Sequence, residues 1–357
     1  MSYDYYYGGV DRDNHPHGRG SMHWGESVRF EGRFSRGNRV GKGTLYFGDG
    51  SYLTGSYKDD TIHGLGRYVF SDGSELVGMF VDGEMNGLVR KFSPEGDFVF
   101  YGKYRDNLPF GEVCSYDEWG GMVCGIVNNK GELTGDNISY VYPDKKHALT
   151  GLFRDGMLVK AVPSLVQDYN KETRCYHCKQ TAKTSISYDL STKLRISKFP
   201  MESDHYEQYY VYVSSSLIAG AGEGLFAKRM LSPHQVISFY NGIRVSHDIV
   251  NKRSWLENAN TISLDDYVVI DVPVEYNQLL TYCASLAHKA NHSSQPNSYY
   301  DKFTHPRFGR IKCIRAAREI SPREEITVNY EYIHVNTDNE TDLPVWYTQA
   351  NSAVIIS

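Results

Sequence analysis

The stretch "HKANHSSQPNSYY", residues 288–300, sets two Asn, two His, three Ser, a Gln and a Pro between the apolar run "YCASLA" and an aromatic pair. Asn, Ser and Pro are the residues that turns use, so a turn describes its backbone. So many hydrogen-bonding groups beside a hydrophobic run read as more than that: the lining of a polar pocket. The reading of this segment decides the fold of the C-terminal half.

Working outward, the flanking sequence is made of short β-type runs: "YYVYVSSSL" from Tyr209, "VISFYNG" from Val236, "DYVVIDV" from Asp266, "RIKCIRA" from Arg310 and "EEITVNYEY" from Glu324. Glycine-rich or polar turns separate them, which predicts a compact, mostly β domain. Four elements stand in order: "AGAGEGLF" with Gly220, Gly222 and Gly224, then "SFYNG" with Tyr240, then the polar loop, then "EEITVNYEY" with Tyr330 and Tyr332. Each alone is weak. The glycine cluster lacks the full G-x-G-x-x-G and the strand–helix–strand context of a nicotinamide site. A lone strand tyrosine is an ordinary core aromatic.

The N-terminal half has a different texture. Gly32, Gly55 and Gly78 recur every 23 residues, Gly102 and Gly125 follow at 24 and 23, and Gly20, Gly43 and Gly66 keep the same period. Each unit pairs an aromatic with the glycine, as in "EGRFSRG", "TGSYKDD", "VGMFVDG" and "YGKYRDN". A period near 23 with alternating polarity predicts one β-hairpin per repeat, stacked on its neighbours because one hairpin cannot bury a face alone. The glycines serve turns and close backbone approach. Phe34, Tyr57, Phe80 and Tyr104 are expected to form a ladder along the stack. The units beginning at Gly125 and Gly151 are degenerate. Residues 161–205 read as a connector, and 206–333 as the second β domain.

Composition sets bounds. The 357 residues are 40% hydrophobic and 23% charged, with 33 Gly, 29 Tyr and a net charge of −5, ordinary for a globular protein and giving no hint of general nucleic-acid affinity. No apolar run is long enough to span a bilayer, so membrane association is not expected. Cys175 and Cys178 in "CYHC" invite a zinc reading. A structural site needs four ligands, and no second pair stands at suitable spacing. The two are read as paired surface thiols, with no metal. The six cysteines are expected to be reduced.

Taken together the four C-terminal elements resemble the SET domain of protein-lysine methyltransferases, whose pattern is G-x-G, Y-x-G, N-H-S-x-x-P-N and E-(L/I)-T-x-x-Y. Here these read Gly222-Glu223-Gly224, Tyr240-Asn241-Gly242, Asn291 to Asn297, and Glu325 to Tyr330. The N-terminal units, over residues 7–156, resemble MORN repeats. The combination resembles the MORN-preceded SET enzymes that monomethylate histone H-three near the start of its tail and other protein lysines. The fold implied is mostly β: a stacked hairpin array over 1–160, then a SET domain and a helical closing segment over 334–357.

The resemblance implies S-adenosylmethionine as methyl donor, held by Ala221, Gly222, Glu223, Asn291 and His292 with Trp346 over its adenine. It implies Tyr330 at the methyl-transfer channel, with Tyr240, Tyr300 and Tyr332 lining the lysine. Thr261, Ser263 and Lys312 match peptide-contacting positions, and His247 reads better as a surface histidine. A hydroxyl-rich channel leaves little room for further methyls. Asn329 and Glu331 depart from the pattern, and a carboxylate there raises the lysine's pKa, opposing deprotonation. Implied partners are the histone tail and other proteins, with no sequence-specific nucleic acid; a monomer in nucleus and cytoplasm is expected. The competing reading is a scaffold or membrane-surface adaptor with an inactive SET domain; intact Tyr330, Asn291 and His292 argue against it.

Overall fold

The computed structural model describes residues 3–330 except 198 and 255. It divides into two compact units, one of residues 1–141 with 166–179, the other of 142–165 with 180 onward. The expected mostly-β architecture is present in both.

In the first unit the strands from Tyr5–Val10 to Gly135–Val141 pair antiparallel in sequence order, each with the next. The tight turns are written locally. At "GDGS" and "SDGS" the carboxylates of Asp49 and Asp72 accept the amide and hydroxyl of Ser51 and Ser74, at 2.6–2.9 Å. Gly50 and Gly73 between them take φ of +88°, a region that favours glycine.

The two glycine series turn out to be one row. Gly20, Gly32, Gly43, Gly55, Gly66 and Gly78 lie successively opposite one another across the sheet. These glycines clear space: a Cβ on Gly32 or Gly43 would run into the ring of Phe30. A register shift recurs once per repeat just beyond this row, at Gly32/Arg33, Gly55/Tyr57 and Gly78/Phe80, where a bulge increases strand twist. Phe34, Tyr57, Phe80 and Tyr104 are all buried, as the period predicts. They do not stack only on each other. Phe30, Ile62 and Val89 fill the steps between them, with Phe30 edge-on to Phe34 and Tyr57 at 5.4 and 4.8 Å.

Two expectations are corrected. The stretch 161–205 is more than a connector: its start belongs to the 13-residue strand Met157–Tyr169, and Tyr176–Gln180 is another strand. Its alternation is masked because several consecutive residues, Ala161 to Ser164, are buried on both faces. Cys175 is also no surface thiol; it is fully buried, while Cys178 is half-buried.

In the second unit the degenerate repeat at Gly151 forms the hairpin of His147–Arg154 with Met157–Tyr169. Its Tyr142, Leu149, Phe153 and Leu158 join the unit's buried core, where Tyr142 stacks on Tyr206 at 4.8 Å. Three small sheets follow. Val211–Ser215, Glu223–Ala227, Glu325–Val328 and Asn291–His292 form one; Val236–Tyr240, Gly309–Ala316 and Ser298–His305 the second; Ile243–Ser246, Val268–Asp271 and Thr261–Ser263 the third. Every residue of "VISFY" is buried, as a strand covered on both faces requires.

Candidate active site

The polar loop is positioned by a short parallel pairing of Asn291 with Thr327 and His292 with Val328. Four side chains hold it there. Asn297 donates to the Glu325 carbonyl at 2.8 Å and accepts the Thr327 amide at 2.9 Å. The Ser298 hydroxyl donates to the Thr327 carbonyl at 2.7 Å. Asn291 Nδ2 lies 3.0 Å from both the Glu223 carbonyl and Glu325 Oε1, so the loop reaches the glycine turn as well. Glu325 also accepts from the Ser216 hydroxyl at 2.6 Å and the Leu217 amide at 2.7 Å. Thus the third motif and the segment leading into the first converge on one carboxylate of the fourth. Gly224 must be glycine here, because a Cβ would strike Glu325.

The convergence walls a cavity of about 460 Å³ that includes Ala221, Gly222, Glu223, Asn291 and Tyr330. The Tyr330 amide donates to His292 Nδ1 at 3.2 Å, and its hydroxyl to the Ala290 carbonyl at 3.1 Å. Tyr240 ends its strand with its ring 6.1 Å from that of Tyr300, inclined at 71°. Lys312 lies opposite Tyr240 on the neighbouring strand. Thr261 and Ser263 sit on an edge strand, their hydroxyls turned onto the Asn258 and Asp265 carbonyls at 2.9 and 3.2 Å. His247 is half-buried and bonded through Nε2 to the Asp265 carbonyl at 2.9 Å. Tyr332, Glu331, Trp346 and the closing segment lie outside the described residues.

His288 and Lys289, which no sequence motif singles out, also line the cavity. Lys289 is buried, with Nζ 2.7 Å from Glu223 Oε2 and bonded to the Asn277 side chain and carbonyl. Burial, and then the adjacent Lys289 charge, push the His288 imidazole down to about 3. It is therefore neutral at physiological pH. Behind them Glu207 accepts the amides of Phe239 and Leu286 at 2.8 and 3.0 Å and the Ser238 hydroxyl. Glu207 thereby ties the strand carrying Tyr240 to the turn carrying His288.

Comparison with known proteins follows the same divisions. Residues 222–331 match the SET domain, 104–176 the N-terminal region of the histone H3 K4-specific methyltransferase SET7, and 12–27, 30–52 and 54–75 the MORN repeat. The histone-lysine N-methyltransferase SETD7 of Halocynthia roretzi is 42% identical over 263 residues, covering 72% of this chain and 68% of that protein. The chain belongs to the SETD7 family of SET-domain lysine methyltransferases.

As a member of that family it is an S-adenosylmethionine-dependent protein-lysine methyltransferase. The cavity fits such a donor: its volume is that of a small-molecule site, and Gly222, at φ +73°, bares backbone with nothing near its missing Cβ. The bound sulfonium supplies an activated methyl group. What the SETD7-family chain itself must do is orient a lysine amine, exclude water and let the amine lose its proton. Free lysine titrates near 10.4, and desolvation favours its neutral form. The neutral His288 imidazole in the cavity wall favours that desolvation, and the Lys289 ammonium beside it is paired with Glu223. Fixing two reactants in line is the other large contribution.

Proposed function

We propose that this enzyme adds one methyl group to a lysine near the start of the histone H-three tail and to lysines of other proteins. The observation that carries the reading is the edge-on packing of the Tyr240 and Tyr300 rings; in this reading the two phenols bound the lysine channel and leave little space for a methylated amine. Tyr330, Tyr240 and Tyr300 form the catalytic set, and Ala221, Gly222, Glu223, Asn291, His292 and Trp346 hold the donor. Thr261, Ser263, Lys312 and Tyr332 complete the peptide side. Residues 1–160 serve as the hairpin array, 161–205 as its connection, 206–333 as the catalytic domain and 334–357 as the closing segment. The protein acts as a monomer in nucleus and cytoplasm, without membrane or sequence-specific nucleic-acid binding.

Mass spectrometry of an H-three tail peptide incubated with the enzyme and S-adenosylmethionine tests this. A product carrying a single methyl group at one lysine is expected. Di- or trimethylated products, or an unmodified peptide when donor binding is demonstrable, would overturn it.

A further inference from the structure

The pair Cys175 and Cys178 lacks a partner pair in sequence, and the fold of the first unit provides one. Cys114 and Cys124 lie directly opposite each other on the adjacent strands Leu108–Tyr116 and Met122–Ile126. Residues so placed project from the same face. Cys114, Cys124 and Cys175 are 0%, 2% and 1% exposed, and all are free thiols.

Two backbone carbonyls gather the four sulfurs. The Thr173 carbonyl accepts from Cys114 and Cys175 at 3.7 and 3.6 Å, and the Tyr176 carbonyl from Cys124 and Cys178 at 3.5 and 3.8 Å. The segment that delivers Cys175 and Cys178 is braced from outside. Asn170 Oδ1 accepts the Glu172 and Thr173 amides at 2.9 and 3.3 Å. The Thr173 hydroxyl donates to Glu112 at 2.6 Å, and His177 bridges Glu112 and Asp168 at 3.1 and 2.9 Å. Outer contacts of this kind fix the orientation of metal ligands.

We propose that Cys114, Cys124, Cys175 and Cys178 form a structural zinc site in the hairpin unit. Four soft thiolates with no open position are the donor set of a closed tetrahedral zinc. Binding releases four protons: one Zn²⁺ and four thiols give a tetrathiolate centre of net charge −2, beside the Arg174 guanidinium that already acts on Cys114. Zn–S bonds of about 2.3 Å place tetrahedral sulfurs about 3.8 Å apart. No three of these sulfurs lie mutually within 4.8 Å, so uptake must draw them together and release both carbonyls from their S–H donors. Buried thiols react poorly with solvent oxidants, whereas zinc is taken up as the chain folds.

The test uses the full chain, expressed without a metal-affinity tag and purified in a thiol-free reductant. Elemental analysis should find about one zinc per chain, lost in the Cys114→Ser/Cys175→Ser double variant and retained in Cys283→Ser. Cobalt(II) exchanged into the wild-type protein should give intense sulfur-to-metal charge-transfer absorption. Should the double variant fail to fold, zinc content and the cobalt spectrum of the wild type decide alone. A zinc-free wild type with all six thiols titratable in denaturant overturns the proposal in favour of a plain thiol core. A mass two hydrogens lighter overturns it in favour of a disulfide.

Discussion

Asn291 Nδ2 donates to Glu325 Oε1 at 3.0 Å, joining the polar loop to the strand that leads to Tyr330. Glu325 is buried and accepts from Ser216, Leu217 and Asn291 together. Glu325→Ala leaves three donors without their acceptor, and hydrogen bonds to a charged group are the strong kind. The variant should lose on the order of 3 kcal/mol of unfolding free energy and bind S-adenosylmethionine at least about tenfold more weakly. Denaturant unfolding and titration calorimetry measure the two. Unchanged donor affinity would show that the carboxylate does not shape the cavity.

Tyr330 donates its hydroxyl to the Ala290 carbonyl, which fixes the phenol oxygen at the cavity wall. Tyr330→Phe should lower turnover on the order of a hundredfold with the far-ultraviolet circular dichroism intact. Near wild-type turnover would remove Tyr330 from the catalytic set.

Tyr300 packs edge-on against Tyr240, with ring centroids 6.1 Å apart. Tyr300→Phe deletes one hydroxyl from the lysine channel and should allow a second methyl group, read as dimethylated peptide by mass spectrometry. Product that stays monomethylated at long reaction times contradicts the channel assignment.

Glu207 is fully buried, and burial first, Asp204 second, push its carboxyl up to about 8. Unfolded, it titrates near 4.3. Between those values the folded chain keeps a proton that the unfolded chain has lost. Stability from this group is therefore present at low pH and falls as pH rises through the window, by up to about 1.4 kcal/mol per pH unit. Glu207→Gln keeps an acceptor for the Phe239 and Leu286 amides and cannot ionise. Its stability should decline less than wild type between about pH 6 and pH 8, followed by chemical denaturation at each pH. Parallel curves would place the proton elsewhere.

Gly43 lies in the cross-strand glycine row under the ring of Phe30. Gly43→Ala forces that ring out of a packed ladder and should destabilise the hairpin unit by about 1–3 kcal/mol. Gly48→Ala, in an exposed turn outside the row, is the comparison. Thermal melting of both variants distinguishes lost space from a general intolerance of alanine.

The hairpin repeats and the four motifs were legible in sequence because their signals are local. A glycine every 23 residues and an aromatic beside it specify a strand face and a turn without reference to distant residues. The motif residues Ala221, Gly222, Glu223, Asn291 and Tyr330 are named by the family resemblance that the order of the motifs carries. Tertiary structure decided the rest. No motif singles out His288 and Lys289, whose place is set only where the turn that carries them meets the cavity wall. Glu207 is an unremarkable acid in "HYEQ" until Phe239 and Leu286 point their amides at it. Cys114 and Cys124 sit ten residues apart in sequence, far from "CYHC", and meet it only through strand register and the path of the returning chain. Periodicity encodes which face of an element is buried. Which buried faces meet is set by long-range pairing, and one chain's local pattern carries no record of that.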